Sequence, residues 1–136
     1  GALGVDLDER TFGLGMAESC KATLSTFEPQ RVIYVNFVME FQPECDCMPM
    51  ADTPLIQDQG ILISDDIVAI DAATLDLVAQ AAPLRQSRAE DHNVKDTGHD
   101  MLKKIIGRDP WIHVRCAEEL GLGTTNYELI QVEPKK

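Results

Sequence analysis

Apolar residues recur along the chain in two rhythms. Met16, Cys20, Leu24 and Phe27 follow one another at spacings of four, four and three. Those spacings lie on one face of an amphipathic helix, which Pro29 ends. The run Arg31–Met39 is β-branched and apolar on both alternating faces, with Asn36 as the odd residue. That composition predicts a strand buried on both sides, as in a parallel sheet between helices. Gly60-Ile61-Leu62-Ile63 predicts a second short buried strand. Ser64-Asp65-Asp66 then supplies N-cap chemistry for a helix from about Asp66 to Ala81, with its acids at the positive end of the helix dipole. His99 to Ile106 predicts a short helix stopped at Gly107. Asp109-Pro110 opens another, which runs to Leu120 and stops at Gly121. Tyr127–Val132 has strand composition. Residues 1–15 read as a lead-in or linker, 82–98 as a polar, mobile surface loop and 133–136 as a tail. The expectation is one α/β domain over 16–132. Its architecture is three-layer, with a mixed but largely parallel sheet and helices on both faces.

At 100° per residue, Ile67, Thr74, Leu75 and Val78 share one arc of the predicted 66–81 helix, and Asp71 falls inside it. A carboxylate on an apolar face needs a partner, because an unpaired buried charge costs several kcal/mol or shifts its pKa until it is neutral.

Residues 42–59 hold three prolines and no sustained period. Loops this long in compact domains are usually functional or disordered, and this one carries Cys45-Asp46-Cys47. In extended chain, residues two apart point the same way. Cys45 and Cys47 are therefore candidate ligands of one soft metal, zinc or the iron of a cluster. The alternative is a pair of small, partly buried thiols. The four cysteines, Cys20, Cys45, Cys47 and Cys116, do not read as a disulfide framework. A domain of this length needs no staples, and reduced thiols suit the cytoplasm. The cluster run C-x₂-C-x₂-C-x₃-C-P is absent. His113 and Cys116 share a helix face and read as core residues. Gly121-Leu122-Gly123-Thr124-Thr125 follows a helix, so it reads as a C-cap and turn rather than a phosphate loop.

Charge narrows the partners. The formal net charge of the 136 residues is −11, which opposes a broad nucleic-acid footprint and adsorption to anionic membranes. No apolar run approaches the ~20 residues of a membrane-spanning helix. Aromatics make up 5% of the chain, so the core must be aliphatic. The first residues are Gly1-Ala2-Leu3 rather than Met, which suggests a segment of a longer protein.

Three stretches carry a family resemblance. They are Val35-Asn36-Phe37 with Cys45-Asp46-Cys47, then Gly60 through Ala73, and finally Ala117 through Gly123 with Tyr127-Glu128-Leu129. Their order and spacing resemble the C-terminal part of the domain of unknown function 362 family, whose members are often described as uncharacterised iron–sulphur centre proteins. That family commonly shows an Asn-rich strand end, a Cys-Asp-Cys loop and a strand-to-helix turn ending in Val-Ala-Ile-Asp, here Val68-Ala69-Ile70-Asp71. Ile67 stands where the family usually has Pro. Many members also carry a ferredoxin-like insert, which this chain lacks.

The resemblance implies an iron–sulphur cluster ligated mainly outside this chain, with a ferredoxin-like domain of the same full-length protein as partner. It selects Cys45, Cys47 and Asp71. The leading expectation is a metal- or iron–sulphur-associated domain of a redox-type protein. Its other candidate site residues are Asn36, Asp46, Asp52 and Ser64. In open α/β sheets, ligands sit outside the carboxyl ends of strands. If the two strands are parallel neighbours, the cysteine loop and Ser64–Asp66 share one rim, with Asp71 just below. One alternative is a small-substrate enzyme domain using Asp46, Asp52 and Asp71 for acid–base work. Another is an acidic module that docks a basic protein.

Overall fold

The computed structural model describes residues 8–44, 49 and 52–132. Helix α1 spans Glu9–Leu24. The Asp8 carboxylate caps it, accepting from the Thr11 N–H at 2.9 Å and the Thr11 hydroxyl at 2.7 Å. The helix therefore begins inside the stretch expected to be a lead-in. The glycines that disguise it have a packing reason. A Cβ on Gly13 would lie 3.2 Å from the Sγ of Cys116, on helix α5 (Ile112–Glu119). The bare backbone of α1 thus packs against α5, with Gly13 and Ala17 buried. Met16 and Phe27, from the predicted apolar stripe, are exposed. Arg10 pairs with Glu119 at 2.7 Å, and Lys21 Nζ donates to the Leu120 carbonyl at 2.7 Å.

Strands β1 (Tyr34–Val38) and β2 (Gly60–Ser64) form the only strand ladder among the described residues. It is antiparallel, with Val35 opposite Ile63 and Phe37 opposite Ile61. This corrects the expectation of a largely parallel sheet. A parallel pair needs a crossover, usually a helix, and the described part of the 39–59 connection holds none. The carboxyl ends of β1 and β2 therefore lie at opposite ends of the ladder. The cysteine loop leaves one end and Ser64–Asp66 the other, so they do not share a rim. One face of the ladder packs on helix α2 (Ile67–Gln80). The other face, expected to be covered as well, leaves Val35, Phe37, Ile61 and Ile63 exposed.

Helix α2 is the centre of the molecule. Val68, Ala72, Leu75 and Val78 are buried, together with Val38, Leu55, Ile56, Met101 and Val114 from around it. Each fully buried aliphatic side chain stabilises the fold by roughly 1.5–3 kcal/mol. Asp66 caps α2, its Oδ1 accepting from Val68 N at 2.8 Å and Ala69 N at 2.9 Å. Its Oδ2 accepts from Thr124 N at 3.0 Å, which fastens the 121–126 turn to the start of α2.

The stretch 82–98 is packed rather than loose. Ser87 caps the single turn α3 (Arg88–Asp91), Ala89 and Val94 are buried, and Pro83 bridges to Ile56. One helical turn is too short to show a period in sequence. Helix α4 (Asp100–Ile106) ends at Gly107 with φ 71°, the left-handed cap that glycine favours. Asp109 accepts from Trp111 N at 3.0 Å, so α5 starts two residues after the expected proline. Tyr127–Val132 is not a strand and pairs with neither β1 nor β2. It is tethered instead by the Tyr127 hydroxyl, which donates to Asp76 Oδ2 at 2.6 Å.

This packing makes the two turn and helix glycines respond in opposite directions. A Cβ on Gly123 would fall 1.9 Å from the Asp66 carboxylate, which three N–H donors already fix. Gly123→Ala should lower unfolding free energy by about 1–3 kcal/mol in urea denaturation. Gly15→Ala, where nothing lies within 4 Å, should raise it by about 0.5–1 kcal/mol. Burial, followed by the hydrogen bond to Asp76, pushes the Tyr127 hydroxyl up to about 12 from 10.0. A pKa raised on folding stabilises below the unfolded value. The tether's full contribution therefore holds below about pH 10 and is lost as pH rises toward 12. Denaturation midpoints at alkaline pH should fall more steeply in the unaltered chain than in Tyr127→Phe.

Candidate functional site

The polar residues of the β1–α2 contact form one connected group. Asn36 lies on the inner face of β1, opposite the α2 positions Asp71 and Thr74, one turn apart. Its Nδ2 donates to Asp71 Oδ1 at 3.0 Å and to Thr74 Oγ1 at 3.0 Å. The Thr74 hydroxyl donates to the Ile70 carbonyl at 2.8 Å, which leaves its oxygen free to accept from Asn36. The second oxygen of Asp71 lies 3.7 Å from His113 Nε2 on α5. The partner that Asp71 required is thus an amide on one side and an imidazole on the other. Asp71 is half-buried rather than sealed in the core.

Two cavities meet at His113. A pocket of about 160 Å³ lies between α1, α2 and α5, lined by Met16, Cys20, Ile67, Asp71 and His113 among others. A larger cleft of about 1040 Å³ opens between α1, the chain just beyond β1, α4 and α5. Phe12, Met16, Phe41, Leu102, Ile106 and Ile112 give it apolar walls, while Asp8, Glu9, Arg108, Asp109 and His113 give it polar edges. Ligand sites commonly combine such walls with a few convergent polar groups.

The electrostatics of the site are lopsided. Burial pushes the Asp109 carboxyl up, but the Trp111 N–H and the paired Arg115 guanidinium outweigh it and hold it below the usual carboxylate range. Hydrogen bonds from Thr11 lower the Asp8 carboxyl. Both therefore carry negative charge at neutral pH. Burial, and then the charge of Asp71, push the Cys20 thiol up. Cys20 thus stays a thiol at neutral pH and is a poor nucleophile.

The remaining sequence candidates scatter. Ser64 Oγ accepts from Asp66 N at 3.0 Å at the far end of β2. Asp52 Oδ1 accepts from Thr53 N at 2.7 Å, while its own N–H donates to Gln42 Oε1 at 2.9 Å. That last bond and one from Leu55 N to the Phe41 carbonyl at 2.7 Å pin the two ends of the cysteine loop together. Cys45, Asp46 and Cys47 lie outside the described residues. Among the described residues, no three His, Cys, Asp or Glu side chains are grouped to hold a metal. Cys116 is buried against α1, its Sγ 4.0 Å from the Arg10 carbonyl, and makes no pair with His113.

Sequence reasoning finds Asn36 and Asp71 but not their connection to each other, to Thr74 or to His113. Thr74 sits three residues after Asp71 on the same predicted arc, which is the available signal. Removing the Asn36 amide leaves Asp71 Oδ1 without its donor. Asn36→Ala should lower stability by about 1–2 kcal/mol, read from chemical denaturation at neutral pH.

The family described as "Domain of unknown function (DUF362)" matches residues 6–76, just over half of the chain. Asn36, the Cys-Asp-Cys loop and Asp71 fall inside the matched stretch, while His113 falls beyond it. No curated protein and no solved structure matches the chain. The match spans β1, the cysteine loop and most of α2, and the chain belongs to the domain of unknown function 362 family.

Proposed function

We propose that the chain binds a small, largely apolar molecule in the cleft beside α1, α4 and α5 and moves a proton there through His113. The observation that carries this reading is the Asp71–His113 pair, with Asn36 behind the carboxylate and both cavities in front of the imidazole. An imidazole changes charge near neutral pH, which suits it to giving and taking protons. A carboxylate behind it steadies the imidazolium and orients the ring. The 3.7 Å separation is longer than a hydrogen bond, and such contacts tighten when a ligand closes the site. Asp71 acts here as a positioning residue, and Asn36 fixes its rotamer.

A library of small aromatic and alicyclic carbonyl compounds, screened by ligand-observed NMR, tests the reading. Hits should bind competitively with one another and exchange protons next to the carbonyl for solvent deuterium. His113→Asn should slow that exchange by at least about 100-fold while leaving binding within a few-fold. Asp71→Asn should slow it less and shift its pH profile. Absence of any hit, or exchange unchanged in His113→Asn, refutes the reading.

A second reading keeps the cysteine loop as a soft-metal site for iron–sulphur or zinc. What favours it is position: Phe41, Gln42 and Pro43, at the pinned stem of that loop, line the same cleft as His113. Cys45 is three residues beyond Gln42, a reach of about 11 Å at most. Cys45 and Cys47 supply two thiolates in this reading. A ferredoxin-like domain of the full-length protein supplies the rest. The free thiols of Cys20 and Cys116 suit a reducing compartment such as the cytoplasm. Protein purified without oxygen should hold metal that is lost when both loop cysteines become serine. Fewer than about 0.1 metal ions per chain, unchanged in the variant, counts decisively against it.

A further inference from the structure

The outer face of the β1–β2 ladder is the part of the surface that packing leaves unexplained. Val35 and Ile63 are cross-strand neighbours, as are Phe37 and Ile61. Ile33 and Met39 extend the β1 row by the same alternation. These six side chains are between 44% (Met39) and 71% (Ile63) exposed. A single exposed isoleucine is ordinary. Six neighbouring apolar side chains on one strip, at ~100 Å² apiece, make a patch of about 600 Å², as large as the largest patch on a typical monomer.

We propose that this face is a homodimer interface, covered by the same face of a second copy of the chain. Two arguments select that occupant. The first is area. Pairing two such patches buries about 1,200 Å², the lower bound for a specific and stable interface. The second is charge. The chain carries −11, yet Ile33, Val35, Phe37, Met39, Ile61 and Ile63 carry none. Two copies therefore meet without opposing like charges in the contact itself. What repulsion remains comes from more distant groups and is screened beyond about 8 Å at physiological salt. Sheet faces also pack on one another about 10 Å apart with their inner side chains interleaved. A two-fold pairing of this kind closes on itself and does not polymerise. The proposal is independent of the proton-transfer reading, because α2 separates the patch from His113.

Sedimentation equilibrium on the intact chain tests it across about 5–500 μM, the range of a weak interface of this size. A concentration-dependent dimer is expected. It should tighten as salt rises from about 0.05 to 0.5 M, because salt relieves the repulsion between acidic copies. Docking to a basic partner would show the opposite dependence. Phe37→Lys should abolish the dimer over that range, with far-UV circular dichroism confirming the fold. Should Phe37→Lys fail to fold, the paired change Val35→Thr with Ile63→Thr takes its place and should weaken the dimer at least about tenfold. A monomer at every concentration and salt overturns the proposal, as does a dimer that folded Phe37→Lys leaves unchanged.

Discussion

Everything in this fold is arranged around the burial of α2. The helix packs against both strands, α4 and α5, and little of its circumference faces water. A helix placed this way has no free side on which to hide a polar group, so each one it carries must be answered by a neighbour. Asp66 is answered by its own first turn and by Thr124. Asp76 is answered by Tyr127. Thr74 and Asp71 are answered by Asn36, with His113 beyond. The same necessity that stabilises the core therefore assembles the candidate site. A polar strand residue, a helix carboxylate and an imidazole converge because the helix cannot present Asp71 anywhere else.

Much of this is legible in the sequence, and the failures share a cause. Asp66, Gly107 and Asp109 announce the ends of α2, α4 and α5 because capping chemistry is local. The carboxylate at position 71 announces itself by interrupting an apolar arc. Strand direction does not, because it depends on how the chain returns from residue 39 to residue 60, and periodicity carries no trace of that path. The apolar run around residue 35 reads as doubly buried. Its composition suits that environment, yet Val35 and Phe37 on its outer face are exposed. Gly13 weakens the signal of α1 for a reason visible only in three dimensions, where the helix needs a bare backbone to approach Cys116. His113 escapes notice as Asp71's neighbour because the two lie 42 positions apart, and sequence spacing relates residues only within one element.

The correction of strand direction changes what the site is. In a parallel arrangement, the cysteine loop and the start of α2 meet at one rim, and the acids between them form a single cluster. In the antiparallel ladder they separate. Ser64 and Asp66 hydrogen-bond at the α2 start and to the turn that docks on it. The Asn36–Asp71–His113 group lies instead at the middle of β1, beside the cleft that the loop's stem lines. Asn36 and Asp71 lie inside the stretch that the family model matches, while His113, on α5, lies beyond it.

The contact of α1 with α5 also orders events in time. Arg10 and Glu119 are 109 positions apart, so the first helix has its principal partner only when the last has been made. At a synthesis rate of about 5–20 residues per second, α1 waits on the order of 5–20 s with the Gly13–Ala17 side uncovered. The strands, α2 and α4 can assemble in that interval, since their contacts close earlier in the chain. Closing so long a loop also carries a large entropic cost before any contact rewards it. The Arg10–Glu119 pair thus spans the longest sequence separation of any hydrogen bond in the α1–α5 seam.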